Sequence, residues 1–186
     1  MRNVAVWVVL LLSGLFLPQF GCERTRTSAP EPRSQQPALL GDPSRETGSW
    51  VRDPEQPPNL STYVIHLKQM GTFYDVHGEY GYVLEGGNHG FESLSFILTE
   101  THPGGGPPLH THGCEEAHVL LEGSARYIIG KRTFTAQAPY VVRIPANVPH
   151  TFMNTGDRVF RLIAVLPGQK ISYTELGPNP LLKKNP

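Results

Sequence analysis

Apolar and polar residues alternate over much of the chain beyond residue 60. Leu94, Phe96 and Leu98 alternate with Ser93, Ser95 and Thr99, the period of two that predicts a strand with one buried face. Shorter runs of the same texture cover residues 63–67 and 80–85, the latter closed by Gly86-Gly87-Asn88. Residues 125–129 and 132–135 predict a hairpin across Gly130-Lys131. Further strands are expected at 119–121, at 140–144, from His150 onward, and at 159–166. No stretch carries a long helical period, and no internal repeat is present. Many short strands separated by turn residues predict an all-β sandwich or closed barrel.

The remainder of the chain has a different texture. Residues 1–21 open with Arg2 and are almost wholly apolar from 4 to 17. That length suits the core of a signal peptide better than a membrane span; the other readings are a buried strand or an uncleaved anchor. Gly21-Cys22 at the end of the run resembles a bacterial lipoprotein cleavage site, with Gln19 where that pattern carries Leu. The resemblance implies export, and lipid attached at Cys22. Residues 22–59 read as a disordered linker, with seven prolines from residue 23 onward and few large apolar residues to offset the entropy of ordering. Trp50 and Val51 either dock on the domain or lie exposed. The expected barrel spans 60–172, and residues 173–186, with Lys183-Lys184, read as a loose tail.

Composition changes this picture little. The 186 residues carry zero net charge, which gives no pointer to nucleic acid or an anionic membrane. The 19 glycines and 18 prolines fit a turn-rich β domain joined to an extended segment.

The chemistry concentrates between residues 104 and 123. His110 and His112 stand two apart, so on a strand their imidazoles point to the same side. Glu116 adds a carboxylate after Gly113, and His150 follows a proline-marked turn downstream. Imidazole nitrogens and a carboxylate oxygen suit a divalent first-row ion. The spacings are Gly104-x5-His110-x-His112-x3-Glu116-x6-Gly123 and Pro145-x-Asn147-x2-His150-x3-Asn154. Together they resemble the two motifs of the cupin superfamily, over residues 90–166. Pro139 stands where the second motif usually opens with Gly, and Asn147 where it usually carries Gly in its turn. Asn tolerates the left-handed conformation better than other non-glycine residues. The resemblance implies a double-stranded β-helix, or jelly-roll barrel, wide enough inside for a small ligand. It also implies His110, His112, Glu116 and His150 as metal ligands.

Four such donors leave two positions of an octahedral ion open to substrate. Zinc, copper, iron, manganese, nickel and cobalt all stay open; loading outside the cytoplasm favours copper or zinc. Cys114 lies inside the first motif and reads as a non-ligand. His118 shares the Glu116 face and is the candidate catalytic residue, as proton relay or substrate contact, against a purely packed histidine. Glu115 points to solvent. Tyr127 and Phe152 line the pocket or fill the core. His66, His77, His89 and His102 have no spacing that ties them to the site. Two functions follow. One is a metal-dependent enzyme of the cell envelope acting on a small organic molecule by dioxygenase-like, decarboxylase or isomerase chemistry. The other is a non-catalytic cupin that binds a small ligand or metal. The expected partner is a small molecule, with no nucleic acid; a membrane tether through Cys22 and a homodimer stay open.

Overall fold

The computed structural model describes residues 51–75 and 77–182. The signal segment, Cys22, Trp50, most of the linker and Lys183-Lys184 lie outside the described residues. Among those described, eleven strands form two antiparallel sheets. They are β1 (Gly71–Asp75), β2 (Glu79–Leu84), β3 (Leu94–Thr101), β4 (Leu109–Thr111), β5 (Glu116–Leu120), β6 (Ser124–Ile129), β7 (Arg132–Gln137), β8 (Tyr140–Ile144), β9 (His150–Asn154), β10 (Phe160–Pro167) and β11 (Thr174–Gly177). One sheet runs β1-β2-β3-β10-β5-β8 and the other β11-β4-β9-β6-β7. The chain crosses repeatedly from one sheet to the other, as in a jelly-roll barrel.

The alternation along β10 shows how the pattern makes the fold. Phe160, Leu162, Ala164 and Leu166 are buried, while Arg161 and Ile163 face outward. On β5, Glu116, His118 and Leu120 share the inner face. The core joins both sheets: Ile97, Leu120, Val142, Ile144 and Leu162 from one meet Ala125, Tyr127 and Phe152 from the other. Burying Leu120 or Leu162 stabilises the fold by roughly 1.5–3 kcal/mol each. The hairpin forms where expected, with Ile129 opposite Arg132 and Gly130 at φ +56. Asn147 takes φ +60, the left-handed turn usually filled by Gly, and its N–H donates to the His112 carbonyl at 2.8 Å.

Four expectations are corrected. The buried face of β3 is the other one: Ser95, Ile97, Thr99 and Thr101 point inward, whereas Leu94 is exposed. The inner positions do not need bulk. Ser95 Oγ accepts from Gly86 N–H and donates to the Gly168 carbonyl, and Ile97 and Thr99 border a cavity. On the outer face Phe96 is covered edge-on by Phe91, centroids 5.4 Å apart. Residues 63–67 form no strand. Gln69, in a 3-10 turn (Leu67–Gln69), accepts from His66 N–H, so local side-chain bonds replace a ladder. Tyr63 is left fully exposed.

The linker ends earlier than residue 59. Arg52 and Thr72 exchange two main-chain hydrogen bonds, Gln56 N–H donates to the Lys68 carbonyl, and Val51 lies where a Gly71 side chain would be. The C-terminal segment is not a loose tail. β11 pairs with β4, placing Glu175 opposite His110, and buried Asn179 donates to the Phe152 carbonyl at 2.8 Å. A chain that begins at Asn59 is therefore expected to melt roughly 3–10 °C below one that begins at residue 48, measured by calorimetry. Equal melting temperatures would mean that residues 51–58 rest on the sheet without stabilising it.

Candidate metal centre

His110 lies on β4, and His112 follows one residue past its end. Glu116 opens β5 and His150 opens β9, with His110 directly opposite His150 in the sheet. The four side chains are all buried, and each offers a donor atom within 4.8 Å of the others. Close approach of the backbone makes this possible. A side chain at Gly106 would meet the Phe152 carbonyl oxygen at 2.0 Å, so only glycine lets the 104–108 loop lie along β9. Thr151 Oγ1 then donates to the Pro107 carbonyl at 2.7 Å.

Main-chain acceptors settle the tautomers. Nδ1 of His110 donates to the Pro108 carbonyl at 2.8 Å, Nδ1 of His150 to the Val148 carbonyl at 2.9 Å, and Nδ1 of His112 to the Ser172 carbonyl. A carbonyl oxygen only accepts, so each Nδ1 carries a proton, and in the neutral ring Nε2 is the atom that presents a lone pair. His112 Nε2, His150 Nε2 and Glu116 Oε2 are buried without a hydrogen-bond partner. His150 Nε2 stands 2.9 Å, and His112 Nε2 3.7 Å, from Glu116 Oε2. With neither a proton nor a metal ion to share, lone pair would face lone pair at that range, which is repulsive. Four buried donor side chains converging on one point, three of them with an unpartnered atom, are what a divalent ion requires. The residues present therefore fit such an ion.

The electrostatics agree. Burial pushes His110 down to about 3, with His150 adding to the effect, and burial lowers His112 as well. Both imidazoles are thus neutral, as ligation demands. For Glu116, burial works to raise the pKa, but His118, His150 and His112 hold it well below the ordinary carboxylate value.

His118 is buried beside this group rather than in it. Its Nε2 lies 3.1 Å from Glu116 Oε1, the oxygen that faces away from His150. It is thus placed to orient the carboxylate, in the manner of a ligand's supporting shell. Cys114 lies outside the cluster as a half-buried free thiol, its pKa raised by burial. Glu115 is exposed. Tyr127 fills the core; Phe152 both packs in the core and borders the cavity.

That cavity has a volume of about 540 Å³, and His110, His112, Glu116 and His118 form one side of it. Sequence patterns did not reveal several groups on its other walls: Tyr74, Asp75, His77 and Glu79 from β1, β2 and the turn joining them, and Tyr173 and Glu175 near β11. Tyr173 stacks on His110, centroids 5.0 Å apart and rings inclined by 26°. His77 Nδ1 and Asp75 Oδ1 are 2.8 Å apart. Alternation of Asp75, His77 and Glu79 at every second residue was the available signal. Nothing in residue type marks a main-chain acceptor such as Ser172. His66, His89 and His102 do not border the cavity.

A family model described as "Cupin domain" matches residues 97–166. This stretch is a cupin domain. Auxin-binding protein 1 of Arabidopsis thaliana is 28% identical over 87 residues, 42% of this chain and 44% of that protein. Among solved structures, the oxalate decarboxylase formate complex of Lactobacillus farciminis superposes with TM-score 0.55 at 24% identity, over 60% of this chain and 35% of that one. A mutant of the Bacillus subtilis oxalate decarboxylase OxdC gives 0.52 at 23%, over 55% and 29%. The chain thus spans less than half the length of these relatives, and the structural likenesses establish the cupin fold alone.

Two outcomes are expected of the cupin site. His112→Ala weakens metal binding at least about 100-fold, and ending the chain at Ile171, which removes the Ser172 acceptor together with Tyr173, β11 and Asn179, weakens it about 10–100-fold. Competition with a chelator measures both; undiminished affinity in His112→Ala would remove it from the donor set. Without metal, stability falls with acid. His110 has a value of 6.5 unfolded and about 3 folded, so the unfolded chain binds the extra proton between them. Its contribution is complete above the unfolded value and drains away as pH falls toward the folded one. Metal-free protein is expected to lose melting temperature between pH 6.5 and about 4, and His110→Gln to lose less; parallel curves would refute the burial argument.

Proposed function

We propose that the domain binds a divalent transition ion through His110, His112, Glu116 and His150 and acts as a metal-dependent enzyme on a small organic molecule. The observation that carries this reading is the placement of the donor group on the wall of a cavity. A purely structural site would be enclosed on all sides by protein. The facing walls include apolar Phe73, Ile97, Phe152, Leu162 and Ala164, which admit a small ligand or dioxygen and disfavour bulk water. When bound, the ion supplies Lewis acidity, or redox chemistry for a redox-active metal. The chain's own residues then divide the work: His110 and His112 held neutral by burial, His150 and Glu116 completing the donor set, Glu116 steered by His118, and Tyr173 over His110 narrowing the approach. His118 is a positioning residue in this scheme. Dioxygenase-like chemistry fits the apolar walls best, with decarboxylation and isomerisation the other reactions such a site supports. Export to the periplasm or envelope, with Cys22 as a lipid attachment point, is supported by the apolar run and the Gly21-Cys22 pair.

The alternative is a cupin that binds without turning over. The similarity to a protein named for binding a small molecule supports it. The two readings part in one experiment. Protein loaded in turn with manganese, iron, cobalt, nickel, copper and zinc is incubated with a panel of small carboxylic acids and phenols, while oxygen uptake and carbon dioxide release are followed. Turnover is expected with at least one metal. His118→Gln is expected to keep the metal and lower turnover about 10–100-fold. Saturable binding with no turnover across the panel would favour the binding protein.

A further inference from the structure

The edges of the two sheets are not protected alike. In the five-stranded sheet β11 forms one edge, and its pairing slips between Glu175 and Gly177, an irregularity that spoils an edge as a template. In the six-stranded sheet β1 forms one edge and is covered by the bridge between Arg52 and Thr72. β7, the opposite edge of the five-stranded sheet, has neither device. Its register with β6 is unbroken, it holds no proline, lysine or acid, and all its residues but Ala136 are exposed. Among the described residues β6 is its one strand partner.

The direction of its main-chain groups follows from one bond. Ala138 N–H donates to the Gly123 carbonyl at 2.9 Å, continuing the β6–β7 ladder by one step. Antiparallel bonding alternates residue by residue. Ala136, Phe134 and Arg132 therefore bond to β6, and the main-chain groups of Thr133, Thr135 and Gln137 point to the open edge. β8 ends the six-stranded sheet on the same side of the barrel. Tyr140 of β8 and Phe134 of β7 both pack on Tyr127, with centroids 6.1 and 5.4 Å from it. Phe134 is still 37% exposed, so the seam between the two sheets is aromatic and open to solvent.

We propose that β7 is the docking edge for a second copy of this chain, paired antiparallel about a two-fold axis through Thr135, so that two five-stranded sheets join into one. The strand is complementary to itself in this register. Thr135 meets its own counterpart, Thr133 meets Gln137, and Phe134 meets Ala136. All three edge-directed residues then form bonded pairs, each exchanging two main-chain hydrogen bonds. Threonine opposite threonine is a favourable cross-strand pair. The small Ala136 leaves room for the Phe134 ring. Arg132, the one charge on the strand, lies opposite Ala138; the two arginines stand about 20 Å apart, too far to repel in salt. A register centred on Phe134 would leave Gln137 opposite the hairpin turn. A strand edge alone gives less than the roughly 800 Å² per partner of a stable interface. The aromatic seam, doubled by the two-fold, adds apolar surface beside it. The dimer is therefore expected to dissociate at about 1–100 μM.

The test is sedimentation of the full chain over about 1–500 μM, where the mass is expected to rise from one copy toward two. Thr135→Pro removes an N–H that β6 does not use, so the internal ladder survives. It is expected to weaken the dimer at least about tenfold. Thr135→Lys sets two ammonium groups against each other on the axis and is expected to weaken it about fivefold. Lysine changes only an exposed side chain, so this variant reports even if the proline variant does not fold. On oxidation, Thr135→Cys is expected to trap more covalent dimer than wild type, which carries Cys22 and Cys114. Thr133→Cys is not, because its counterparts stand about 14 Å apart. The proposal is overturned if the wild type stays monomeric, including the case in which another segment of the same chain protects the Thr133, Thr135 and Gln137 amides from exchange. It is also overturned if both Thr135→Pro and Thr135→Lys associate like wild type. That result would place the contact elsewhere, such as on the apolar row of Leu98, Ile163, Val119 and Val141 across the outer face of the six-stranded sheet. Equal cross-linking by Thr133→Cys and Thr135→Cys would refute the register.

Discussion

Three buried imidazoles each give their Nδ1 proton to a main-chain carbonyl, and much of the molecule is arranged around those three bonds. Pro108, Val148 and Ser172 supply the acceptors from three separate segments. Each segment is fixed by the barrel: the 104–108 loop against β9, the Asn147 turn against His112, and residue 172 beside β11. The result is a set of buried donor atoms converging on one point. Left without a cation, these groups oppose folding, because desolvated acceptors go unpaired. Filled, they become a source of stability. The apolar core of Leu120, Tyr127, Leu162 and Leu166 pays the difference.

The same logic separates the walls of the cavity. On the donor side, histidines hold Glu116 ionised. On the β1–β2 side, Asp75 has His77 as its partner while Glu79 has only hydroxyl groups, and burial drives Glu79 toward neutrality. Two carboxyl groups bordering one cavity are thus pushed in opposite directions by their neighbours, the pattern by which a site keeps an acid and a base at one pH.

Much of this was legible in the chain and some was not. The four donors stand at fixed spacings because a strand repeats every two residues and the turn before His150 has a fixed shape; Asn147 at φ +60 shows how one side chain can satisfy that shape. Strands β6, β8 and β10 were legible because their inner faces are apolar and their ends carry turn residues. β3 misled because its interior side meets a hydrogen-bonded serine and a cavity rather than packed hydrocarbon, while Phe96 is covered from outside. Residues 63–67 misled because β-branched and aromatic propensity yields to context when no partner strand is within reach. Glu79 and Ser172 carry no pattern: one matters through burial, the other through a carbonyl that every residue possesses.

The bond between His112 and Ser172 spans 60 positions of sequence. During synthesis, at about 5–20 residues per second, roughly 3–12 s separate the making of the imidazole from the making of its acceptor. Until then the ring is free to carry its proton on either nitrogen. The centre therefore cannot be complete before residue 172 is made, and an ion that meets the chain earlier finds an incomplete claw.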